Sequence, residues 1–146
     1  MKRSEKALEL FSKEYNCSQS VLLSFADEVN IDEDTLIKIS SGFGEGTARL
    51  QGTCGAINGG VILLGLIFGN GINGNTDDKE VVYEKTQHFI QLFNKQFSTT
   101  QCKELLYGCE ALTEQEHIEY YEKNHNKICK TSVKFAVEIL EKLIHY

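Results

Sequence analysis

Five cysteines are the residues of this 146-residue chain whose type and placement point to chemistry. Cysteine thiolates act as nucleophiles, as redox groups and as metal ligands. Four of the five cysteines are preceded in the sequence by residues that are suited to cap the N-terminus of a helix. Because a helix start carries partial positive charge and unpaired N–H groups, we expect these positions to favour thiolates and to lower the cysteine pKa. The four cysteines and their predicted caps are Cys17 after Asn16, Cys54 after Thr53, Cys102 after Ser98–Thr100, and Cys129 after Asn126.

The fifth cysteine, Cys109, differs from the others. It follows Gly108, where we predict that a helix ends, and the helix dipole at that end disfavours a thiolate. We interpret Cys109 as a structural residue outside the set. An odd number of cysteines also excludes a complete set of disulfides within the chain. The sequence contains no C-x-x-C pair, so both the thioredoxin motif and the haem-attachment motif C-x-x-C-H are absent.

Composition and charge exclude several classes of protein. The net charge is −6 and the only arginines are Arg3 and Arg49, which argues against a nucleic-acid-binding surface. The N-terminal segment is charged and lacks the apolar stretch of a secretory signal. The longest apolar run, residues 56–68, is interrupted by Asn58 and is shorter than the roughly 20 residues that span a bilayer. We therefore predict a cytoplasmic protein without membrane insertion, where thiols stay reduced unless they have a redox or metal role.

Hydrophobic periodicity predicts an all-α fold, a single compact bundle of about seven helices over residues 1–146. No alternating stretch of strand length competes with the helical patterns. The clearest helix boundaries lie in the second half of the chain. They are a long helix from near Thr76, a short helix from Cys102 to Leu106 that stops at Gly108, a capping box at Thr113 and Glu116, and a last helix from near Asn126.

The glycines mark the unusual part of the chain, because eleven of the twelve lie between Gly42 and Gly74. We predict a loop at residues 42–46, since closely spaced glycines destabilise a helix. The apolar segment that follows should be a buried helix. Small residues at four-residue spacing give it a face that a neighbouring backbone could approach closely, or against which a cofactor could lie. Such faces also favour a homodimer. The small residues are Ala56, Gly60, Gly65 and Gly69.

These motifs together resemble the C-GCAxxG-C-C family of redox-active proteins. The resemblance runs from about Cys17 to the C-terminus. It implies redox chemistry and assigns the family's four cysteines to Cys17, Cys54, Cys102 and Cys129. A similar domain occurs in certain multihaem cytochromes with an iron–sulfur site, but without a haem-attachment motif we expect no haem here. The matching segments are Asn16-Cys17-Ser18, Gly52-Thr-Cys-Gly-Ala-x-x-Gly-Gly60, Cys102-Lys-Glu-Leu-Leu106 and a lone Cys129 ahead of the last helix.

Three hypotheses remain open at this point. In the first, the four cysteines bind an iron–sulfur cluster or another metal and exchange electrons with an unidentified redox partner protein, since such clusters take four thiolates. In the second, metal-free thiol–disulfide exchange uses Cys54 as the nucleophile together with Cys17. In the third, the chain is a helical interaction module with structural cysteines. A zinc site that includes His125 is disfavoured because the paired spacing of such sites is missing; we interpret His125 as a solvated or capping residue near a helix start.

Overall fold

The computed structural model describes residues 1–108 and 110–145. Within these ranges there is no β-strand and only an isolated bridge between Thr53 and Gln101. The all-α prediction is therefore confirmed. Short 3₁₀ helices occupy Ala26–Glu28 and Ser41–Phe43, and Gly44–Thr47 forms one separate turn. The described residues form seven longer helices: α1 (Arg3–Ser12), α2 (Cys17–Leu23), α3 (Glu33–Ser40), α4 (Gly55–Phe68), α5 (Thr76–Phe97), α6 (Cys102–Tyr107) and α7 (Glu114–His145).

Helix α4 lies at the centre of the fold and packs against α2, α5 and α7. Its Leu63 and Leu64 side chains are fully buried, as are Phe89 and Phe93 of α5. Helix α1 packs along α7. Burial of apolar surface is the main favourable contribution to folding, so these contacts hold the start of α4 in a fixed position. None of the helices in the described part of the chain has the length and apolar character needed to cross a membrane.

Helix α7 is continuous from Glu114 to His145. Its predicted start is confirmed, because Glu116 N–H donates to Thr113 Oγ1 and Thr113 N–H donates to Glu116 Oε1, at 3.2 and 3.1 Å. The predicted second start near Asn126 is wrong. Asparagine costs less than about 1 kcal/mol inside a helix, and no glycine or proline interrupts the segment. Packing against neighbouring helices outweighs so small a local preference.

The small residues of α4 serve different contacts. A Cβ atom at Gly59 would lie 2.5 Å from the backbone oxygen of Ser18, and one at Gly60 would lie 2.4 Å from Cε2 of Phe89. Close packing is therefore confirmed at Gly60, and it also occurs at Gly59, which the predicted small-residue face did not include. At Gly65 a Cβ would meet no atom within 4 Å, so the predicted close contact is absent at this position.

This difference predicts opposite effects for the same substitution in one helix. Gly59→Ala should lower the free energy of unfolding by about 1–3 kcal/mol, because the backbone of α2 must move away. Gly65→Ala should raise it by about 0.5–1 kcal/mol, since alanine restricts the unfolded chain and meets no obstacle. Urea unfolding followed by circular dichroism measures both. Equal effects of the two substitutions would contradict the packing described here.

Candidate functional site

A cavity of about 650 Å³ is lined by residues from α2, α6 and α7 and from the start of α4. Four cysteines contribute to its wall, each from a different segment: Cys17, Cys54, Cys102 and Cys129. Cys54 and Cys102 are buried, whereas Cys17 and Cys129 are partly exposed, and all four are free thiols. The cavity is within the size range of small-ligand sites in proteins, which is about 300–1,000 Å³.

Cys17 is the first residue of α2, as predicted, and Asn16 is its N-cap. The Asn16 side chain accepts from the Gln19 amide at 2.9 Å, and the Gln19 side chain accepts from the Asn16 amide at 3.0 Å. The Asn16 amide group also donates to the carbonyl of Ser41 at 3.0 Å. This reciprocal capping fixes the helix start, and with it the position of Cys17.

Cys54 and Cys102 are brought together by backbone pairing. The Cys54 amide donates to the Thr100 carbonyl at 2.8 Å, and the Cys102 amide donates to the Gly52 carbonyl at 2.6 Å. Each segment leads directly into a helix, with Cys54 as the N-cap of α4 and Cys102 as the first residue of α6. The N-cap of α6 is Gln101 rather than a residue of the predicted Ser98–Thr100 run.

Gly44 and Gly46 of the predicted loop, and Gly55 at the start of α4, lie against the cysteine-bearing segments or their caps. A Cβ at Gly55 would lie 3.1 Å from Cβ of Cys17, and one at Gly46 would lie 2.7 Å from Cβ of Cys102. A Cβ at Gly44 would overlap the Asn16 side chain at 2.2 Å from Cγ. Glycine at these positions allows the segments to approach closely enough to share one cavity.

The predicted loop at residues 42–46 contains the 3₁₀ helix and then a left-handed turn. Residues 45–49 all have positive φ, between 50° and 68°. Only Gly46 among them is a glycine, and for other residues this conformation costs about 1–2 kcal/mol each. Asn58 of α4 holds the turn in place, because its side chain donates to the carbonyls of Phe43 and Thr53, both at 3.2 Å. Nothing in the sequence pattern predicted this turn.

Cys129 lies in the interior of α7, so its predicted position in the first turn of a helix is wrong. It reaches the cavity because it shares one face of α7 with other lining residues at three- and four-residue spacing. His125 is likewise inside α7 rather than near a helix start. The lining residues of α7 are Tyr121, His125, Ile128, Cys129 and Ser132.

Aromatic rings form one wall of the cavity. Tyr107 stacks on Tyr121 with ring centroids 4.8 Å apart, and Tyr121 stacks on His125 at 4.4 Å; both pairs are within 12° of parallel. His125 Nδ1 lies 2.7 Å from the carbonyl oxygen of Tyr121. Because a carbonyl only accepts, Nδ1 carries a proton in this contact. The stack therefore orders the part of α7 that precedes Cys129.

The four thiols differ in how the fold shifts their pKa. A hydrogen bond to Cys129, and then burial, raises the pKa of Cys17 well above its ordinary value. Burial raises the pKa of Cys54 to about 11, against the opposing amides of Ala56 and Ile57. Burial and the neighbouring Cys54 raise the pKa of Cys102 to about 12. The hydrogen bond from Cys17 lowers the pKa of Cys129 despite its own burial.

These directions correct the expectation that helix starts would lower the thiol pKa. Among Cys17, Cys54 and Cys102, the loss of hydration and the proximity of other thiols outweigh the favourable helix termini. Among the four cysteines that the structure describes, only Cys129 has a lowered pKa, and it lies away from any helix terminus. Cys54 therefore gains no support as the nucleophile of a metal-free reaction.

The comparison with protein families matches residues 15–143 to a family described as "Putative redox-active protein (C_GCAxxG_C_C)". The chain belongs to this family. Comparison with curated proteins and with solved structures found no match. Family membership confirms the predicted resemblance and the redox-active description. It does not assign a cofactor or a role to individual residues.

The metal hypothesis stays a prediction for this member of the family. Over residues 1–108 and 110–145, no group of three or more His, Cys, Asp or Glu side chains stands in an arrangement that could hold a metal ion. Cys109, which we interpreted as outside the set, lies outside the described residues. Asn58 and Ser132 were not predicted as site residues. The single polar residue in the apolar run could have indicated that Asn58 makes a specific hydrogen bond.

The pKa directions predict the order in which the metal-free, reduced protein is alkylated. Near neutral pH, iodoacetamide should modify Cys129 at least about tenfold faster than Cys54, because Cys54 has far less thiolate at that pH. As pH rises, Cys54 should become reactive towards pH about 11 and Cys102 towards about 12. Peptide mass spectrometry of timed samples measures each site, and faster modification of Cys54 than of Cys129 would contradict these directions.

Proposed function

We propose that Cys17, Cys54, Cys102 and Cys129 bind an iron–sulfur cluster and that the protein transfers electrons through it. The observation that carries the proposal is that four thiols from four separate segments line the same cavity. Thiol–disulfide exchange needs only two cysteines, whereas iron–sulfur clusters are held by four thiolates. Membership of a redox-active family supports the same class of function.

The chemistry of the donor set fits a cluster. Thiols that are buried together resist ionisation, which makes them poor nucleophiles. A metal ion reverses this effect, because its positive charge displaces the proton from a coordinating thiol. The amides of Ala56 and Ile57 act on the Cys54 sulfur and would stabilise a ligated thiolate in the same way.

Ligation also requires the sulfurs to come closer together than they are in the metal-free form. Each cysteine side chain moves its sulfur by rotation about a single bond. The cavity provides space for this rotation, while the capping box of α2 and the backbone hydrogen bond from Cys102 to Gly52 keep the Cα atoms of Cys17 and Cys102 in place. In the loaded protein the cluster would supply the change of oxidation state, and the helices would hold its ligands and limit contact with water.

Anaerobic reconstitution with iron and sulfide tests the proposal. The wild-type protein should become brown, with iron and sulfide in a ratio near one, and should bleach on addition of dithionite. Replacement of any of the four cysteines by serine should lose most of the bound iron. Loss of a residue that hydrogen-bonds to a metal ligand reduces metal affinity by about 10–100-fold. Loss of a ligand itself should therefore reduce metal affinity at least as much.

Cys109→Ser is the matched control for these variants. It removes a cysteine that the sequence pattern leaves outside the set, so its iron and sulfide content should equal that of the wild type. A colourless wild-type protein after anaerobic reconstitution would refute the cluster. Equal iron loss in Cys109→Ser and in the other four variants would refute the assignment of ligands.

A second candidate function rests on the hydrogen bond between Cys17 and Cys129. This contact lowers the pKa of Cys129, which makes its sulfur the better nucleophile of the set. The Cys129 thiolate would attack a disulfide substrate and release one thiolate. Cys17 would then lose its proton and attack the Cys129 sulfur, which releases the second thiol and leaves a Cys17–Cys129 disulfide. The substrate gains two electrons and two protons in total.

This candidate predicts a specific product of oxidation. Treatment of the metal-free protein with diamide should form the Cys17–Cys129 disulfide in preference to other pairs, because these two thiols are close enough to shift each other's pKa through a hydrogen bond. Peptide mapping without reduction identifies the pair, and dithiothreitol should restore both thiols. Exclusive formation of a disulfide that includes Cys54 or Cys102 would count against this assignment.

A further inference from the structure

Ser132 presents a buried hydroxyl to the cysteine cavity. It lies in α7, three residues after Cys129, and only 1% of its surface is exposed. Its Oγ makes no hydrogen bond to any atom of the described residues. It is nevertheless part of the cavity wall, on the same face of the helix as Cys129. A buried polar group without a partner is destabilising, so this one calls for a physical reason.

Two other buried serines, Ser24 and Ser40, avoid that cost by bonding to the backbone of their own segment. Ser40 Oγ donates to the carbonyl of Leu36 at 2.7 Å, and Ser24 Oγ donates to that of Val21 at 2.7 Å. The same kind of bond is available to a serine inside a helix such as α7. Ser132 does not make one, and its hydroxyl remains available to a group in the cavity.

We propose that the Ser132 hydroxyl donates a hydrogen bond to the Cys54 sulfur when that sulfur is a cluster ligand, and that this bond raises the reduction potential of the cluster. The inference rests on the proposed function of the same four cysteines. Its geometric basis is the position of an unpartnered, fully buried donor in the wall that Cys54 also lines.

The Ser132 hydroxyl lies close enough to Cys54 to oppose the effect of burial on the pKa of that thiol, but it does not meet the geometry of a hydrogen bond. A donor that favours negative charge on the sulfur has a larger effect on the reduced cluster, because reduction adds an electron that is shared with the ligand sulfurs. Hydrogen bonds to cluster sulfurs are among the factors that set cluster potentials. The hydroxyl therefore stabilises the reduced state more than the oxidised state.

The experiment compares Ser132→Ala with Ser18→Ala in the reconstituted protein. Ser18 is a matched control, since it is also a fully buried helical serine whose Oγ has no hydrogen-bond partner, but it does not line the cavity. Alanine is the best helix former, so both variants should fold. In a redox titration followed by absorbance, the reduction potential of Ser132→Ala should be lower than that of the wild type. The expected difference corresponds to about a tenfold change in the reduction equilibrium, which is 59 mV for one electron. Ser18→Ala should match the wild type.

A second readout does not depend on electron transfer. In the metal-free protein both variants should unfold at a temperature equal to or higher than the wild type, because each removes an unpartnered hydroxyl. In the loaded protein only Ser132→Ala should unfold at a lower temperature than the wild type. Ser132→Thr keeps the hydroxyl and should retain most of the wild-type potential.

The outcomes separate this inference from the proposed function. If the wild type takes up a cluster and Ser132→Ala and Ser18→Ala have equal potentials, the inference is overturned and the cluster stands. If the wild type takes up no cluster, the proposed function fails, and Cd²⁺ serves as the thiolate-binding probe for the same variants. Several-fold weaker Cd²⁺ binding by Ser132→Ala than by Ser18→Ala would then support the hydrogen bond to the Cys54 sulfur, and equal or absent Cd²⁺ binding would overturn it.

Discussion

Close backbone contacts at Gly44, Gly46 and Gly55 set the separations on which the whole site depends. Each glycine lies against a cysteine-bearing segment or its cap. A methyl group at Gly44 or Gly46 would require the neighbouring segment to move, and one at Gly55 would require its neighbours to shift by a few tenths of an ångström. The clustered glycines and the dispersed cysteines therefore belong to one feature of the sequence. The glycines determine how closely the cysteine-bearing segments can approach each other.

Departures from ordinary local preference are concentrated around the same cavity. Four residues other than glycine adopt left-handed backbone between positions 45 and 49, and the buried hydroxyl of Ser132 has no partner. Elsewhere the exceptions are more scattered: Ser98 has left-handed backbone, and the buried hydroxyls of Ser18 and Thr86 also lack a partner. Proteins tolerate strained or unsatisfied groups where function requires them and compensate through packing elsewhere. The run of left-handed residues beside the cysteine cavity is consistent with the role that we propose for it.

The sequence was sufficient where a local signal decides the structure. Asn16 and Gln19 cap α2, Thr113 and Glu116 cap α7, and both helix starts could be predicted from residue types three positions apart. The position of Cys129 inside a helix could not be predicted in this way, because Asn126 is suited both to cap a helix and to lie within one. Packing of α7 against other segments decides between the two. The sign of the thiol pKa shifts depends on burial by segments distant in sequence, which no local motif records.

The charges around the cavity limit the kinds of ligand that it can bind. Burial raises the pKa of Cys102 and Glu45 adds to that effect, whereas at Cys129 the hydrogen bond from Cys17 lowers the pKa and Glu45 only opposes it. The nearby cation Arg49 is paired with Glu45 at 3.1 Å. The chain as a whole carries a net charge of −6. These surroundings disfavour an anionic ligand and leave buried thiols neutral. Metal ions bring the positive charge that converts such thiols to thiolates, and fixed donors such as the Ala56 amide and the Ser132 hydroxyl then stabilise the negative charge on sulfur. The burial that makes Cys17, Cys54 and Cys102 weak nucleophiles is thus consistent with the cluster that we propose.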